Sequence, residues 1–356
     1  GQRAEQAGPL AATLHGAGLL PSEPHDQART IVASPLAGRL PGTVAVDALV
    51  RSIDEALCDE PELSALSGRF LIAVDDGRGA VDVVGADLAL VAGGGNRSAT
   101  LSPSGIEGAL AGERLTLLVG GVVAGSVGAH DAPEALMAAA YAFLRDATAA
   151  GGAWRVAELP DAGAAIRADL AAAGIVEPFA GWTSTQATAG VRELPPLGLG
   201  RLADGRAFVR AGAVLGRLTA EQLLVAADAA ETGRTELRIA ADRSLTLPDL
   251  APKHADAALT ALAAAGLITD AADPSLGLTA CAGLGCPKTH GDVRAAAHLR
   301  SRTRRPGAPR EHLVGCERRC GAPASGDTLV LAEHETPDAF AARAADAAGN
   351  ALENDR

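Results

Sequence analysis

Residues 279–323, TACAGLGCPKTHGDVRAAAHLRSRTRRPGAPREHLVGCERRCGAP, hold four of the five cysteines as two close pairs, and nothing else in the chain narrows the fold as much. Four residues separate Cys281 from Cys286, and three separate Cys316 from Cys320. A 356-residue chain does not use such grouping as a disulfide framework; in a reducing compartment it reads as a metal site. Paired thiolates hold either an iron–sulfur cluster or zinc. Zinc sites carry their pairs on tight knuckles of small modules, whereas an Arg-rich connection inside a larger duplicated fold suits iron–sulfur better. Zinc stays as the second reading. Arg300, Arg302, Arg304, Arg305 and Arg310 lie between the pairs and suit either a polycarboxylate ligand or a solvated loop. Cys58 stands alone and reads as a half-buried free thiol.

The cysteines sit in the second copy of a repeat. Residues 11–38 match within residues 258–286 at one constant offset and without a gap: Leu14 meets Leu262, Gly18-Leu19 meets Gly266-Leu267, and Ile31-Val32-Ala33 meets Thr279-Ala280-Cys281. Each copy predicts a helix with a Gly cap, a strand, a helix (44–57; 291–299) and a further strand (69–74; 312–314). The spacing predicts a hairpin at Asp76-Gly77, a strand pair 115–119 and 122–124 joined by Gly120-Gly121, and a helix capped by Asp131. Trp154 and Trp182 are expected as packing anchors. Gly93-Gly94-Gly95 has no phosphate-loop spacing around it and reads as a turn.

From Leu197 the pattern is β-β-α-β-α: a hairpin at Asp204-Gly205, a Thr219/Gln222 capping box, a helix closing at Gly233, strands 236–240 and 244–247, and a helix 255–265. That order predicts a ferredoxin-like sheet with helices on one face. We therefore expect an α+β chain: 1–148, a first half incomplete at its N-terminus; 149–196, a linker; 197–273, a ferredoxin-like half-domain; 274–345, a second half with the cysteines; and 346–356, a tail. If each half carries such a half-domain, a further segment precedes residue 1.

The net charge of −12 and aromatic content of 2% argue against nucleic-acid binding, which needs a basic face and stacking platforms. Mean hydropathy of +0.15 comes from Ala, Val and Leu, and no apolar run reaches the roughly 18 residues of a membrane span. No secretory leader is legible, so a cytoplasmic location without membrane partners is expected.

The paired cysteines, the stretch GCERRCG (Gly315–Gly321) and the duplicated halves resemble the nitrite/sulfite reductase superfamily, and within it the precorrin-3B synthases. ARTIVASPLAG (28–38), LSGRFLIAVDDGRG (66–79), DRSLTLP (242–248), TACAGLGC (279–286) and HLVGCERRCG (312–321) carry the resemblance, which runs from about Gly8 to Glu333. It implies a duplicated nitrite/sulfite reductase-like architecture, with ferredoxin-like half-domains and two related α/β halves that bind the tetrapyrrole and the cluster. It further implies a [4Fe–4S] cluster on Cys281, Cys286, Cys316 and Cys320, with Cys320 nearest the tetrapyrrole; the first pair is one residue closer than is usual in the family.

The implied reaction is the dioxygen-dependent hydroxylation and lactonisation of precorrin-3A, with an external electron donor. A mononuclear iron or sirohaem is the further metal group the resemblance admits. Arg29, Arg69, Arg243 and Arg319 are the implied carboxylate ligands, since guanidinium binds carboxylate bidentately. His312 serves the cluster, the substrate or only the fold. The reductases put a Lys on each side of the Phe that is Phe70 here; Arg69 and Leu71 stand there instead, which disfavours sulfite chemistry. A sirohaem-dependent nitrite or sulfite reductase, and a non-catalytic tetrapyrrole- or zinc-binding remnant, are the rival readings.

Overall fold

The computed structural model describes residues 7–92, 113–178, 194–323 and 326–354, so Gly93–Gly95 and Trp182 lie outside the described residues. Two compact units divide the chain at Leu194/Pro195. None of the described helices is long and apolar enough to cross a membrane.

The first unit opens with helix α1 (Ala7–Gly16), strand β1 (Ile31–Ala33), helix α2 (Asp47–Asp59) and strand β2 (Ile72–Asp75). Strands β3 (Leu88–Ala92), β4 (Arg114–Val119) and β5 (Val122–Gly128) complete one five-stranded sheet in sequence order. The pairs β1–β2 and β2–β3 are parallel; β3–β4 and β4–β5 are antiparallel. The β4–β5 turn at Gly120-Gly121 is as the sequence implies, but the hairpin expected at Asp76-Gly77 is absent. Because β2 and β3 run parallel, the chain must return to the start of β3, and it does so through a turn organised by Asp75. That carboxylate accepts N–H bonds from Gly77, Gly79, Ala80 and Val81.

Helix α2 buries Leu49, Ile53 and Leu57, one stripe at four-residue spacing, against the sheet. Helix α3 (Ala132–Ala149) packs beside α2, and Phe143 meets Phe70 with ring centroids 4.7 Å apart. Asp131 occupies the position before α3 but makes no side-chain cap hydrogen bond. The segment expected as a linker is built into this unit as far as it is described. Val156, Val176 and helix α4 (Ala164–Ala172), through Ile166 and Leu170, all join the first core. Trp154 is no packing anchor, being 58% exposed.

Asp76 is fully buried; Oδ1 accepts the Arg78 N–H at 3.2 Å, the Ser34 hydroxyl also faces the carboxyl, and Oδ2 has no hydrogen-bond partner among the described residues. Burial first, and then the neighbouring Asp75 charge, push its carboxyl up to about 6. The native state thus binds this proton more tightly than the unfolded chain. The stabilisation is full below the ordinary carboxyl pKa and is lost as pH rises through about 6. Asp76→Asn is expected to match the wild type near pH 4 and to exceed it at pH 8 by on the order of 2 kcal/mol, measured by urea denaturation across that range. Equal stability at pH 8 would refute this.

The second unit begins with strands β6 (Gly198–Arg201) and β7 (Ala207–Gly212), helix α5 (Ala220–Gly233), strands β8 (Arg238–Ile239) and β9 (Ser244–Leu250), and helix α6 (Pro252–Ala264). They form an antiparallel sheet in the order β6-β7-β9-β8. Ala226, Ala230, Ala258 and Leu262 of the two helices bury against Val209, Ala211, Leu245 and Leu247. The Thr219/Gln222 capping box forms, each side chain meeting the other residue's N–H. Gly233 lies inside the helix; Arg234, left-handed at φ 54°, ends it instead.

Then come β10 (Leu278–Ala280), helix α7 (Val293–Thr303), β11 (Glu311–Val314), β12 (Asp327–Val330) and helix α8 (Pro337–Asn354). The three strands are parallel in the order β10-β11-β12, and α8 packs on α7. This is the β1-α2-β2-β3 arrangement again, with α8 in the position of α3. The repeat extends to the preceding helix ends: Gly18 and Gly266 both take positive φ, letting Leu19 N–H return to Leu14 O and Leu267 N–H to Leu262 O. The fold is therefore α+β and duplicated.

Candidate functional site

Parallel strands bring their carboxyl ends to one edge, and Cys281 follows β10 there as Cys316 follows β11. The loops behind them are stitched together. Cys281 N–H donates to Leu313 O, Gly315 N–H points at the Cys281 Sγ at 3.3 Å, and His290 N–H donates to Gly315 O. Gly315 is required for that closeness, since a Cβ there would stand 2.0 Å from Thr289 Oγ1. Gly283, at φ +59°, bends the first loop so that Cys286 N–H reaches Gly283 O.

A cavity of about 470 Å³ lies beside these loops, lined by Cys281, Cys320, His312, Thr279, Arg243 and Leu215 among others. Its volume suits a small-molecule ligand. Two of its walls come from the ferredoxin-like half-domain, through the turns at Leu215-Gly216 and Arg243. Both non-glycine residues sit at positive φ, 56° and 66°, and Arg319 in the second cysteine loop is at 49°. Each such backbone costs roughly 1–2 kcal/mol, and strain of this kind gathers at binding sites.

Gly216 presses on Arg243: a Cβ would lie 2.5 Å from the Arg243 Cδ. Gly216→Ala is therefore expected to swing the guanidinium away and to weaken severalfold the binding of any carboxylate that Arg243 holds. The strain at φ +68° should cost only about 1–2 kcal/mol of stability. A titration with unchanged affinity would count against this.

His312 is buried, with both nitrogens engaged: Nε2 lies 3.0 Å from Cys320 O and Nδ1 lies 2.7 Å from Thr279 Oγ1. A carbonyl only accepts, so Nε2 carries the proton, while Thr279 Oγ1 bridges His312 Nδ1 and Glu311 O, the latter at 3.3 Å. The imidazole thereby ties the Cys320 loop to β11 and fixes the cavity rim.

The other residues expected at the site are distributed differently. Arg29 is bound bidentately by Asp54 at 2.6 and 2.8 Å, which raises its pKa and already fills its carboxylate-binding fork. Arg69 lies over the Trp154 ring, 4.9 Å from its centroid. Arg319 is exposed, 3.7 Å from Glu317. Arg300 and Arg304 of the Arg-rich run are neither a lip nor solvated: both are buried and converge on buried Glu311. Thr279, Leu215 and Gly216 were not expected at the site. The sequence signal for Thr279 is its place opposite His312 across β10–β11.

Among the described residues, no group of three or more His, Cys, Asp or Glu side chains is gathered to hold a metal ion. The donor set itself fits a thiolate-held cluster: all four cysteines are free, they occupy two loops at one sheet edge, and Cys281 and Cys320 open onto one cavity. A cluster bound here would complete the gathering of the loops, with binding energy supplying the ordering.

Comparison with known proteins bears first on the class. Residues 201–265 match the family model described as the nitrite/sulfite reductase ferredoxin-like half domain. The fold as a whole is similar to that of the Mycobacterium tuberculosis NirA protein, with a TM-score of 0.58 and 19% identity. That likeness covers 80% of this chain and 54% of NirA, so the chain spans about half the length of that relative. None of the curated proteins compared matches the sequence.

Proposed function

We propose that this chain is an oxidoreductase of the precorrin-3B synthase type. It would take precorrin-3A into the Arg243 cavity and, with dioxygen and an external electron donor, hydroxylate it and close the lactone. Cys281, Cys286, Cys316 and Cys320 would hold a [4Fe–4S] cluster, which when bound supplies single electrons. The observation that carries the reading is the cavity itself, where two of the four cysteines meet an arginine free of any carboxylate partner among the described residues. Arg243 would orient a peripheral carboxylate, and His312 would keep the Cys320 loop against it.

A sirohaem-dependent nitrite or sulfite reductase is supported equally by the half-domain match and by the NirA-like fold. Against it stands the strand entering β2. Arg69 is engaged with Trp154, and Leu71 packs at the edge of an apolar cluster, so no pair of free cations flanks Phe70. Anaerobically purified protein is expected to show a broad violet absorption that bleaches with dithionite, and to convert precorrin-3A under air with a reductant. Strong sirohaem bands with nitrite or sulfite turnover would assign the chain to the reductases instead.

A further inference from the structure

A second cavity, of about 360 Å³, borders the same 281–285 loop and shares Ala282 with the first. Arg217, Arg294 and His298 line it, together with exposed Leu284 and with Asp292. Asp292 is occupied as the cap of α7, accepting the Ala295 N–H at 3.0 Å. Arg294 gives its Nε to Cys281 O, and its outer nitrogens have no partner among the described residues. Arg217 has no side-chain partner among the described residues.

Several other arginines of the chain are held by carboxylates. Arg29 is held by Asp54, Arg155 by Asp87, Arg300 and Arg304 by Glu311, and Arg343 by Glu335. Acidic residues outnumber basic ones 43 to 31, so the wall formed by Arg217 and Arg294 is a local positive field on a negative background. Open guanidinium nitrogens around a concavity recognise carboxylates. Because this cavity and the Arg243 cavity meet at one loop, a ligand with carboxylates on several edges can engage both.

We infer that Arg217 and Arg294 form a second carboxylate-binding subsite, gripping another edge of the macrocycle whose first edge Arg243 holds. This deepens the proposed function and rests on it. The sequence already hints at Arg217, which stands two residues before the Thr219 cap and so is fixed at the mouth of α5.

The test is titration of the full chain with uroporphyrin, an octacarboxylate tetrapyrrole, followed by quenching of its fluorescence. Arg217→Gln and Arg294→Gln should each weaken binding about three- to tenfold, with the loss shrinking in high salt. Arg145→Gln, an exposed arginine of the first unit, should leave it unchanged. Arg217 is the cleaner probe, because its exposed side chain has no hydrogen-bond or ion-pair partner among the described residues. Citrate is titrated in parallel. If citrate alone binds through Arg217 as tightly as uroporphyrin does, the site belongs to a free small anion and the subsite is wrong. Uroporphyrin binding that depends on Arg243 but not on Arg217 or Arg294 also overturns the subsite, while the proposed function stands. A wild-type chain that binds no tetrapyrrole overturns both.

Discussion

Glu311→Ala is expected to destabilise the second unit by about 3–5 kcal/mol, the largest stability effect anticipated for a single side chain here. Glu311 is 1% exposed and receives Arg300 through two nitrogens, at 2.7 and 2.9 Å, and Arg304 as well. Removing the carboxylate leaves two guanidinium groups inside the protein without a counter-charge. Arg304 already carries a lowered pKa from burial, a sign of how poorly its charge is solvated there. Replacing Glu311, Arg300 and Arg304 together by Met and Leu residues should recover most of the loss, because the penalty lies in the unpaired charges and not in the missing contacts. Chemical denaturation followed by circular dichroism decides it; a shift below about 1 kcal/mol for Glu311→Ala would defeat the account.

The second large effect concerns the thiols. After reconstitution with iron and sulfide, the wild type is expected to carry about four irons per chain, and serine at any one of Cys281, Cys286, Cys316 or Cys320 should bring that below about one. Cys58→Ser serves as the control and should keep the full complement, since Cys58 lies in the first unit near Arg29 and Asp54. The reason for a steep response is that the four sulfurs are not gathered beforehand. A cluster held by all four would have to draw the loops in, so each missing thiolate would remove both a bond and part of that ordering energy. Retention of iron by two or more of the four serine variants would exclude this ligand set.

Much of the architecture was legible in the residues. Local chemistry with a fixed offset read correctly: the Thr219/Gln222 capping box, the Gly120-Gly121 turn, and the Gly18 and Gly266 helix ends that betray the duplication. The failures were non-local. Asp76-Gly77 has hairpin composition, but the parallel partner of β2 lies beyond Asp87, and no short-range rule reports which strand a strand will join. The Arg-rich run looked hydrated because arginine usually is. Yet Val293, Ala296, Ala297 and Arg300 follow one buried helical face at three- and four-residue steps, which marks Arg300 as interior before any coordinates. Of the residues expected at the site, Cys281, Cys320, His312 and Arg243 line one cavity, whereas Arg29 is held by Asp54. Ion pairing between α2 and a distant loop has no signature in a single sequence.

The turn after β2 is the first half's counterpart of the bend that carries Cys316 after β11. In the first half, Asp75 turns both oxygens inward onto four amide hydrogens of its own chain. The two halves thus differ at matching corners: oxygen knots the chain to itself at the first, whereas at the second Gly315 N–H approaches the sulfur of Cys281. Grafting cysteines onto the oxygen corner would first have to undo that knot, so the asymmetry, once established, is hard to reverse.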